Sequence, residues 1–265
     1  MHIVVCIKQV PDTTDVKIDP KTNTLMREGV VSVVNPFDMF AVEEALRIKA
    51  KLGGTVTAVT MGPPQADAAL REVIAMGVDN GILVSDRAFA GGDTWATSYT
   101  LAMAIKKMGN VSMIICGKQA TDGDTAQVGP GIATHLDLPQ ITYVRKIEEI
   151  DEKHIVAQRL LEEGYESIHS LLPCVLTVVK EINQPRLISL KGKMTARKAV
   201  VTKWTAADVG AEPLKIGLDG SPTKVVKIFT PAPRQGGKIF TGEPEACVQK
   251  LVESLKTELI ARKKG

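Results

Sequence analysis

The chain has 265 residues and a formal net charge of +3. That length buries a full core as one large domain, or as one domain plus an appendage. A balance so near neutral, with 4% aromatic residues and no basic run interleaved with aromatics, argues against nucleic acid as a partner.

His2-Ile3-Val4-Val5-Cys6-Ile7 is the kind of apolar run that fills a buried parallel strand. Lys8-Gln9-Val10-Pro11-Asp12 breaks it. Val16-Lys17-Ile18 and Thr24-Leu25-Met26 flank the turn signal Asp19-Pro20-Lys21-Thr22-Asn23 and read as a short hairpin ahead of Val34. Asn35-Pro36-Phe37-Asp38 opens a helix, with Asn35 as N-cap and Pro36 at the first helical position. On it Ala41, Ala45, Ile48 and Leu52 share one face, and Glu43 pairs with Arg47 on the outside. Gly53-Gly54 ends it.

Thr55-Val56-Thr57-Ala58-Val59-Thr60-Met61 is a second buried strand, and Gly62-Pro63-Pro64 turns the chain. Leu70, Val73 and Ile74 mark a helix closed by Gly77. Gly81-Ile82-Leu83-Val84 is a third strand, and Ala90-Gly91-Gly92-Asp93-Thr94 leads into a helix carrying Leu101, Ala104, Ile105 and Met108. Ser112-Met113-Ile114-Ile115-Cys116 is a fourth strand. This alternation predicts an α/β fold, a doubly wound and mostly parallel sheet with right-handed crossovers.

The fourth strand runs into Gly117-Lys118-Gln119-Ala120-Thr121-Asp122-Gly123-Asp124-Thr125-Ala126-Gln127-Val128, and then into a helix on which Ile132 and Leu136 share a face. In open α/β sheets ligands sit beyond the carboxyl ends of the strands. Glycine allows close backbone approach, and Thr121, Thr125, Gln119, Gln127 and the free N–H groups of the helix start suit a phosphate. The stretch is neither a P-loop nor a G-x-G-x-x-G fingerprint. A polar surface loop held by local Asp and Thr hydrogen bonds is the competing reading.

After Pro139 the rhythm changes. Ile141 to Val144, Ile147 to Ile150 and His154 to Gln158 read as a small antiparallel insertion. Cys174-Val175-Leu176-Thr177-Val178-Val179 returns as a buried strand, ended by Asn183-Gln184-Pro185-Arg186. From about Leu187 to Phe240 long periodic segments are few. Pro231-Ala232-Pro233-Arg234-Gln235-Gly236-Gly237 reads as an extended arm. A last helix carries Val248, Leu251, Val252, Leu255 and Leu259 on one face, to be covered by a partner chain, the more economical reading, or by this chain's own sheet. The expected organisation is a nucleotide-binding domain over 1–190, then a partner-docking loop, arm and helix over 191–265.

Five pieces lie where a crevice would form: the loop after Ile7, Asn35 to Asp38, Met61 to Pro63, Ser85 to Thr94, and Gly117 to Val128. None supplies a nucleophile–base set or paired carboxylates, so no catalytic residue is assigned. The four histidines show no metal-ligand spacing. Gly91, Gly92, Asp93 and Thr94, with Thr97 and Ser98, form a second phosphate cradle or, more simply, an Asp/Thr helix cap. Cys6, Cys116, Cys174 and Cys247 lie far apart without a C-x-x-C, as reduced thiols do in a cytosolic protein. No basic leader precedes the first strand, and no apolar run is long enough to span a bilayer. A cytoplasmic nucleotide-binding protein whose cofactor does the chemistry fits best.

On these residues the chain resembles the beta, or small, subunit of electron-transferring flavoprotein. The likeness is carried by Lys8-Gln9-Val10, Asn35-Pro36-Phe37 with Ala41-Val42-Glu43-Glu44-Ala45, Ala75-Met76-Gly77, and Gly117-Lys118-Gln119-Ala120 through Asp122, Asp124 and Gln127 to Leu138-Pro139-Gln140. Arg159, Glu162-Glu163-Gly164, Pro173 and Asn183-Gln184-Pro185-Arg186 extend it along essentially the whole chain.

The resemblance implies an adenine-nucleotide-binding domain and a heterodimer with a larger alpha subunit that carries one FAD. It implies a second adenine nucleotide here: AMP in the plain form, FAD reduced by NADH in the electron-bifurcating form. The binding positions it implies are Cys6, Asn35, Pro36, Phe37, Asp38, Met61 and Gly117 to Val128. Leu190, Lys191, Lys193, Met194 and Arg197 match the loop that docks an acyl-CoA-type or other flavin dehydrogenase, although Lys191-Gly192-Lys193 stands where plain members usually have Pro and Asn. Lys8 to Asp12 and Gly91 to Ser98 are similar to the bifurcating group, which implies ferredoxin or flavodoxin as low-potential acceptor. A non-redox, adenine-nucleotide-binding regulatory module is the alternative from another class.

Overall fold

The computed structural model describes residues 1–12, 32–226 and 237–262, with side chains in the last stretch described to residue 256. The expected hairpin over 16–26 and nearly all of the 231–237 arm lie outside those residues. The chain divides into two compact units, residues 1–227 and 228–265.

The first unit is built on one nine-stranded sheet. In chain order its elements begin with β1 (His2–Cys6), β2 (Gln9–Pro11), β3 (Ser32–Val34), α1 (Pro36–Leu52), β4 (Thr55–Met61), α2 (Asp67–Met76) and β5 (Asn80–Val84). They continue with α3 (Thr94–Met108), β6 (Met113–Gly117), α4 (Val128–Leu136), β7 (Gln140–Ile150), β8 (His154–Leu161), β9 (Gly164–Leu171), β10 (Cys174–Val178), α5 (Leu190–Lys198) and β11 (Val201–Trp204). Across the sheet the order is β11-β5-β4-β1-β6-β10-β7-β8-β9. Pairing is parallel from β11 to β7 and antiparallel from β7 to β9. β2 and β3 form a separate antiparallel pair.

Period-two alternation in the strands divides the core between two faces. Ile3, Val5, Ile115 and Leu176 pack under α1, α2 and α5, with Ala41, Ala45, Leu70, Val73 and Ala196. Val4, Cys6, Ile114 and Val175 pack under α3 and α4, with Tyr99, Leu101, Ala104, Ile132 and Ala133. The chain builds outward from β1 through β4 to β5 and then resumes on β1's other side with β6. The order therefore reverses between β1 and β6, and the chain leaves their carboxyl ends toward opposite faces of the sheet, to α1 and to α4, which is where doubly wound sheets hold ligands.

The parallel strands and α1 to α4 form where the sequence predicts them. Four details differ. Ile141 to Val144 and Ile147 to Ile150 are one strand, β7, that pairs with β10 at its start and with β8 further on, with register shifts and a left-handed Tyr143 (φ 57°). β9 was not expected because its faces are mostly exposed and carry Glu166, Ser167 and His169 instead of a core stripe. α5 and β11 were not expected either. β11 closes the far edge of the parallel sheet against β5, so the compact body extends to residue 227, past the 190 boundary. Finally, Glu43 is buried (4% exposed) and is not an outside partner of Arg47 alone. It accepts from Arg47 Nε at 3.1 Å and from Arg186 N, Nε and Nη2 at 3.1, 2.8 and 3.2 Å, while Asn183 Nδ2 donates to Glu44 Oε2 at 2.9 Å. The Asn183-Gln184-Pro185-Arg186 segment is thus fastened across α1.

The second unit contains α6 (Pro244–Arg262). Val248, Leu251, Val252 and Leu255 are all more than two-fifths exposed. Lys238 Nζ donates to Ser254 Oγ at 3.1 Å within this unit.

Candidate functional site

A cleft of about 1610 Å³ opens at the β1/β6 reversal. All the loops expected to converge do so. Cys6, Asp38, Met61, Gly91, Gly92, Asp93, Thr94, Thr97, Lys118, Gln119, Ala120, Asp122, Gly123, Thr125, Ala126, Gln127 and Val128 line it. Asn35, Pro36, Phe37, Gly117, Thr121 and Asp124 do not line it. Several of these stand behind the wall and hold it.

Asn35 is fully buried, and its side chain does not cap α1 as the sequence predicts. Its Nδ2 donates to Gln119 O at 2.8 Å and its Oδ1 accepts from Thr121 N at 3.1 Å. The amide is committed to the 117–127 loop, leaving Pro36 and the backbone bond from Asp38 N to Asn35 O at 2.9 Å to start the helix. Gly117 allows the other close approach: a Cβ there would lie 2.4 Å from Asp38 Oδ1 and 2.6 Å from Phe37 C. Asp38 is buried at the junction of the two strand ends, where its Oδ2 accepts from Lys8 N at 2.7 Å. Burial pushes its carboxyl up to about 7, against hydrogen bonds from Asn35 and the backbone of Lys8 and Gly117.

The loop itself is tense and self-braced. Asp124 and Ala126 are left-handed at φ 53°, a conformation that costs an alanine more than an aspartate. Asp124 accepts from Gln119 Nε2 and Asp122 from Lys8 Nζ at 2.6 Å, so both carboxylates serve as turn-formers with partners. No side chain caps α4, whose first turn, Val128 to Gly131, faces the cleft. An uncapped helix start, Lys118, Thr125 and Gln127 make a donor set suited to a phosphate.

Thr94 Oγ1 donates to Gln127 Oε1 at 2.8 Å and joins the two predicted cradles. α3 is capped by Asp93, whose Oδ1 accepts from Trp95 N and Ala96 N at 3.0 and 3.1 Å. Cys6 and Cys116 sit in register on β1 and β6. Contact with the Cys6 thiol, together with burial, holds the Cys116 thiol well above its usual range, so Cys116 is an inert wall atom and not a nucleophile. The sequence reading missed Pro222, Thr223 and Val225, which also line the cleft. Only a short Gly/Ser/Pro/Thr stretch marks them in the sequence, and it carries no periodicity.

The residues expected to dock a dehydrogenase lie on a helix and not in a loop. Leu190 and Met194 are 77% and 55% exposed on α5, and with Lys191, Thr195 and Lys198 they line a shallow groove. Ser189 Oγ caps α5 by accepting from Gly192 N at 3.0 Å, and Arg71 Nη1 fixes its end by donating to Ala196 O and Ala199 O at 2.8 and 3.1 Å. Among the described residues no helix is long and apolar enough to cross a membrane.

Comparison with known proteins places this arrangement. The electron transfer flavoprotein domain matches residues 22–209. The chain is 53% identical to the electron transfer flavoprotein subunit beta of Thermoanaerobacterium thermosaccharolyticum over 96% of this chain and 98% of that one. It is 53% identical to the caffeyl-CoA reductase-Etf complex subunit CarD of Acetobacterium woodii, over 91% and 92% of the two chains. It is 50% identical to protein FixA of Azotobacter vinelandii, over 88% and 85%. The chain belongs to the electron transfer flavoprotein family, among its beta subunits.

Proposed function

We propose that this beta subunit pairs with an alpha subunit and holds FAD in the cleft, where the complex takes hydride from NADH. The electrons then part between a dehydrogenase-linked flavin and a ferredoxin or flavodoxin. The observation that carries the reading is the extent of the cleft. It runs without a break from the 117–127 loop to Thr94, Thr97 and Ser98 at the start of α3 and measures about 1610 Å³, against roughly 300–1,000 Å³ for the usual small-ligand pocket. A mononucleotide leaves the α3 end unused, whereas a dinucleotide occupies both ends.

A bound FAD supplies the redox chemistry, accepting a hydride and releasing electrons singly. The chain's residues bind and orient. Lys118, Thr125, Gln127 and the first N–H groups of α4 receive phosphate. Thr97 offers a hydroxyl at the other end, and Thr94 ties that end to Gln127. Met61 and Cys6 supply apolar wall, and Asp38 keeps the two strand ends together without touching a reacting atom. Leu190, Lys191, Lys193, Met194 and Arg197 present an apolar and cationic face to the dehydrogenase. The name of the Acetobacterium relative, a caffeyl-CoA reductase complex subunit, favours a CoA-ester-linked flavin enzyme in that role. Exposed Val248, Leu251, Val252 and Leu255 on α6 are the surface offered to the alpha subunit. The setting is the cytoplasm.

The test is nucleotide counting. The heterodimer is co-expressed, denatured, and its released nucleotides separated by chromatography. Two FAD per heterodimer, both bleached by NADH, is the expected result. One FAD and one AMP would make this chain a structural nucleotide holder in a plain electron carrier, and no nucleotide from this chain would overturn both forms.

A further inference from the structure

Residues 216–225 form a strap over the start of α3. Ile216 anchors it in the core under α3. Leu218 lies so close to Gly91 that a Cβ on Gly91, itself at φ 75°, would meet Leu218 Cγ at 2.7 Å. Ser221, buried at 8% exposure, donates to Gly217 O at 2.6 Å and accepts from Asp93 N at 2.8 Å. Thr223 then donates twice to Asp93 Oδ2, from N at 3.0 Å and from Oγ1 at 2.8 Å. Pro222, Thr223 and Val225 face the cleft.

Asp93 is therefore fully committed. A carboxylate offers about four acceptor positions. Oδ1 uses two on Trp95 N and Ala96 N, and Oδ2 uses two on Thr223. Against the cost of burial, the hydrogen bonds from Ala96, Thr223 and Trp95 hold the group below the usual carboxylate range, so it stays anionic. An anion with no acceptor position to spare repels a phosphate, and it can take no ribityl hydroxyl or flavin N–H as donor.

We infer that Asp93 is not a cofactor ligand but a positioning residue that fastens the 216–225 strap to the start of α3 and so makes Pro222, Thr223 and Val225 a wall of the nucleotide cleft. This rests on the reading of the cleft as a nucleotide site. By reciprocity, a ligand that needs the wall tightens the strap by the factor with which the strap tightens the ligand. The second unit begins at residue 228, so the strap is also its covalent root.

The experiment uses the purified heterodimer with Thr223→Val, Thr223→Ser, Asp93→Asn and the Asp93→Asn/Thr223→Val double variant. The readouts are the rate at which this chain's FAD or AMP is lost during gel filtration and the hydrogen exchange of amides 217–223. Thr223→Val is expected to speed nucleotide loss about tenfold, the equivalent of one hydrogen bond to a charged group, and to raise strap exchange. Thr223→Ser restores both. The double variant loses nucleotide no faster than Asp93→Asn alone, because both changes cut one connection. Nucleotide loss in Asp93→Asn with wild-type retention in Thr223→Val would overturn the inference and make Asp93 a direct ligand. Raised exchange with full retention in both would overturn the wall. Wild-type protein without nucleotide in this chain would instead overturn the nucleotide reading, while exchange of amides 217–223 still reads the Asp93 connection. Should Asp93→Asn fail to fold, the Thr223 pair carries the comparison alone.

Discussion

Gly117→Ala should loosen the body of the protein more than any other single methyl added to the 117–127 loop. The new Cβ would sit 2.4 Å from Asp38 Oδ1, 2.6 Å from Phe37 C and 2.8 Å from Asp38 N. Two of these are backbone atoms at the start of α1, and the third belongs to a buried carboxylate, so no flexible side chain can swing away. Overpacking of this kind costs roughly 1–3 kcal/mol. Moving α1 off the end of β6 also stretches the backbone hydrogen bond that Gly117 makes to Asp38, at about 1 kcal/mol more. The total of about 3 kcal/mol corresponds to a fall in Tm of roughly 6–12 °C for a body of this size. The assay is urea unfolding followed by far-UV circular dichroism, with Gly123→Ala as the control. A Cβ on Gly123 meets nothing within 4 Å, and its φ is not in the left-handed region, so stability should change by under about 0.5 kcal/mol. If the loop's backbone closes on a nucleotide, Gly123→Ala lowers nucleotide content without lowering Tm. A Gly117→Ala protein within 1 kcal/mol of wild type would refute the contact between β6 and α1 on which the floor of the cleft depends.

Glu43→Gln should lower stability by about 2–3 kcal/mol at pH 7, less than for a fully buried pair because Arg186 is 42% exposed. Burial opposes its charge, but Arg186 and Arg47 hold its carboxyl below the usual 4.5. That contribution is therefore present above pH 4.5 and disappears as pH falls through the lowered value, where the two unfolding curves should converge. Asp38 has the opposite sign. With its carboxyl raised from 3.8 to about 7, the folded state binds the extra proton, so stability falls as pH rises from about 4 to 7, by at most about 4 kcal/mol. The difference between wild type and Asp38→Asn across that window reads it, and a flat difference would show that the carboxylate is charged throughout. Leu190→Ala with Met194→Ala should leave Tm and nucleotide content unchanged while raising KM for the dehydrogenase partner roughly 10- to 30-fold, as loss of an exposed apolar anchor does. Unchanged electron transfer would move the docking face elsewhere.

The parallel strands were legible because each is a continuous apolar run bounded by Gly, Pro or Asp, and the 117–127 loop because its polar residues stand between such a run and a helix. Residues whose neighbours come from distant parts of the chain were not legible. Asn35 sits where an N-cap belongs, and only the returning loop shows that its amide is committed to Gln119 and Thr121. Glu43 and Arg47 have the spacing of a surface pair, but Arg186 arrives from 143 residues away and seals the carboxylate in. β9 and β11 lack an apolar stripe because one lies at the antiparallel edge and the other closes the parallel edge with Thr202 and Lys203 exposed. Gly91-Gly92-Asp93-Thr94 before a helix suits either a phosphate or an Asp cap, and the cap forms. Thr223, which takes up the second carboxylate oxygen, has no sequence signal of its own.

The position of β11 has a consequence for synthesis. β5, the apolar Gly81-Ile82-Leu83-Val84 run, is the edge of the parallel sheet until Val201–Trp204 pairs with it. That partner leaves the ribosome roughly 120 residues later, a delay of about 6–24 s at ordinary elongation rates. Through that interval a nascent chain with β1, β4 and β5 in place carries an unpaired apolar edge, the feature that seeds association between chains. Slow translation between residues 84 and 204 should therefore lower the soluble yield without changing the finished molecule. For this chain, the lifetime of the open edge is set by the ribosome.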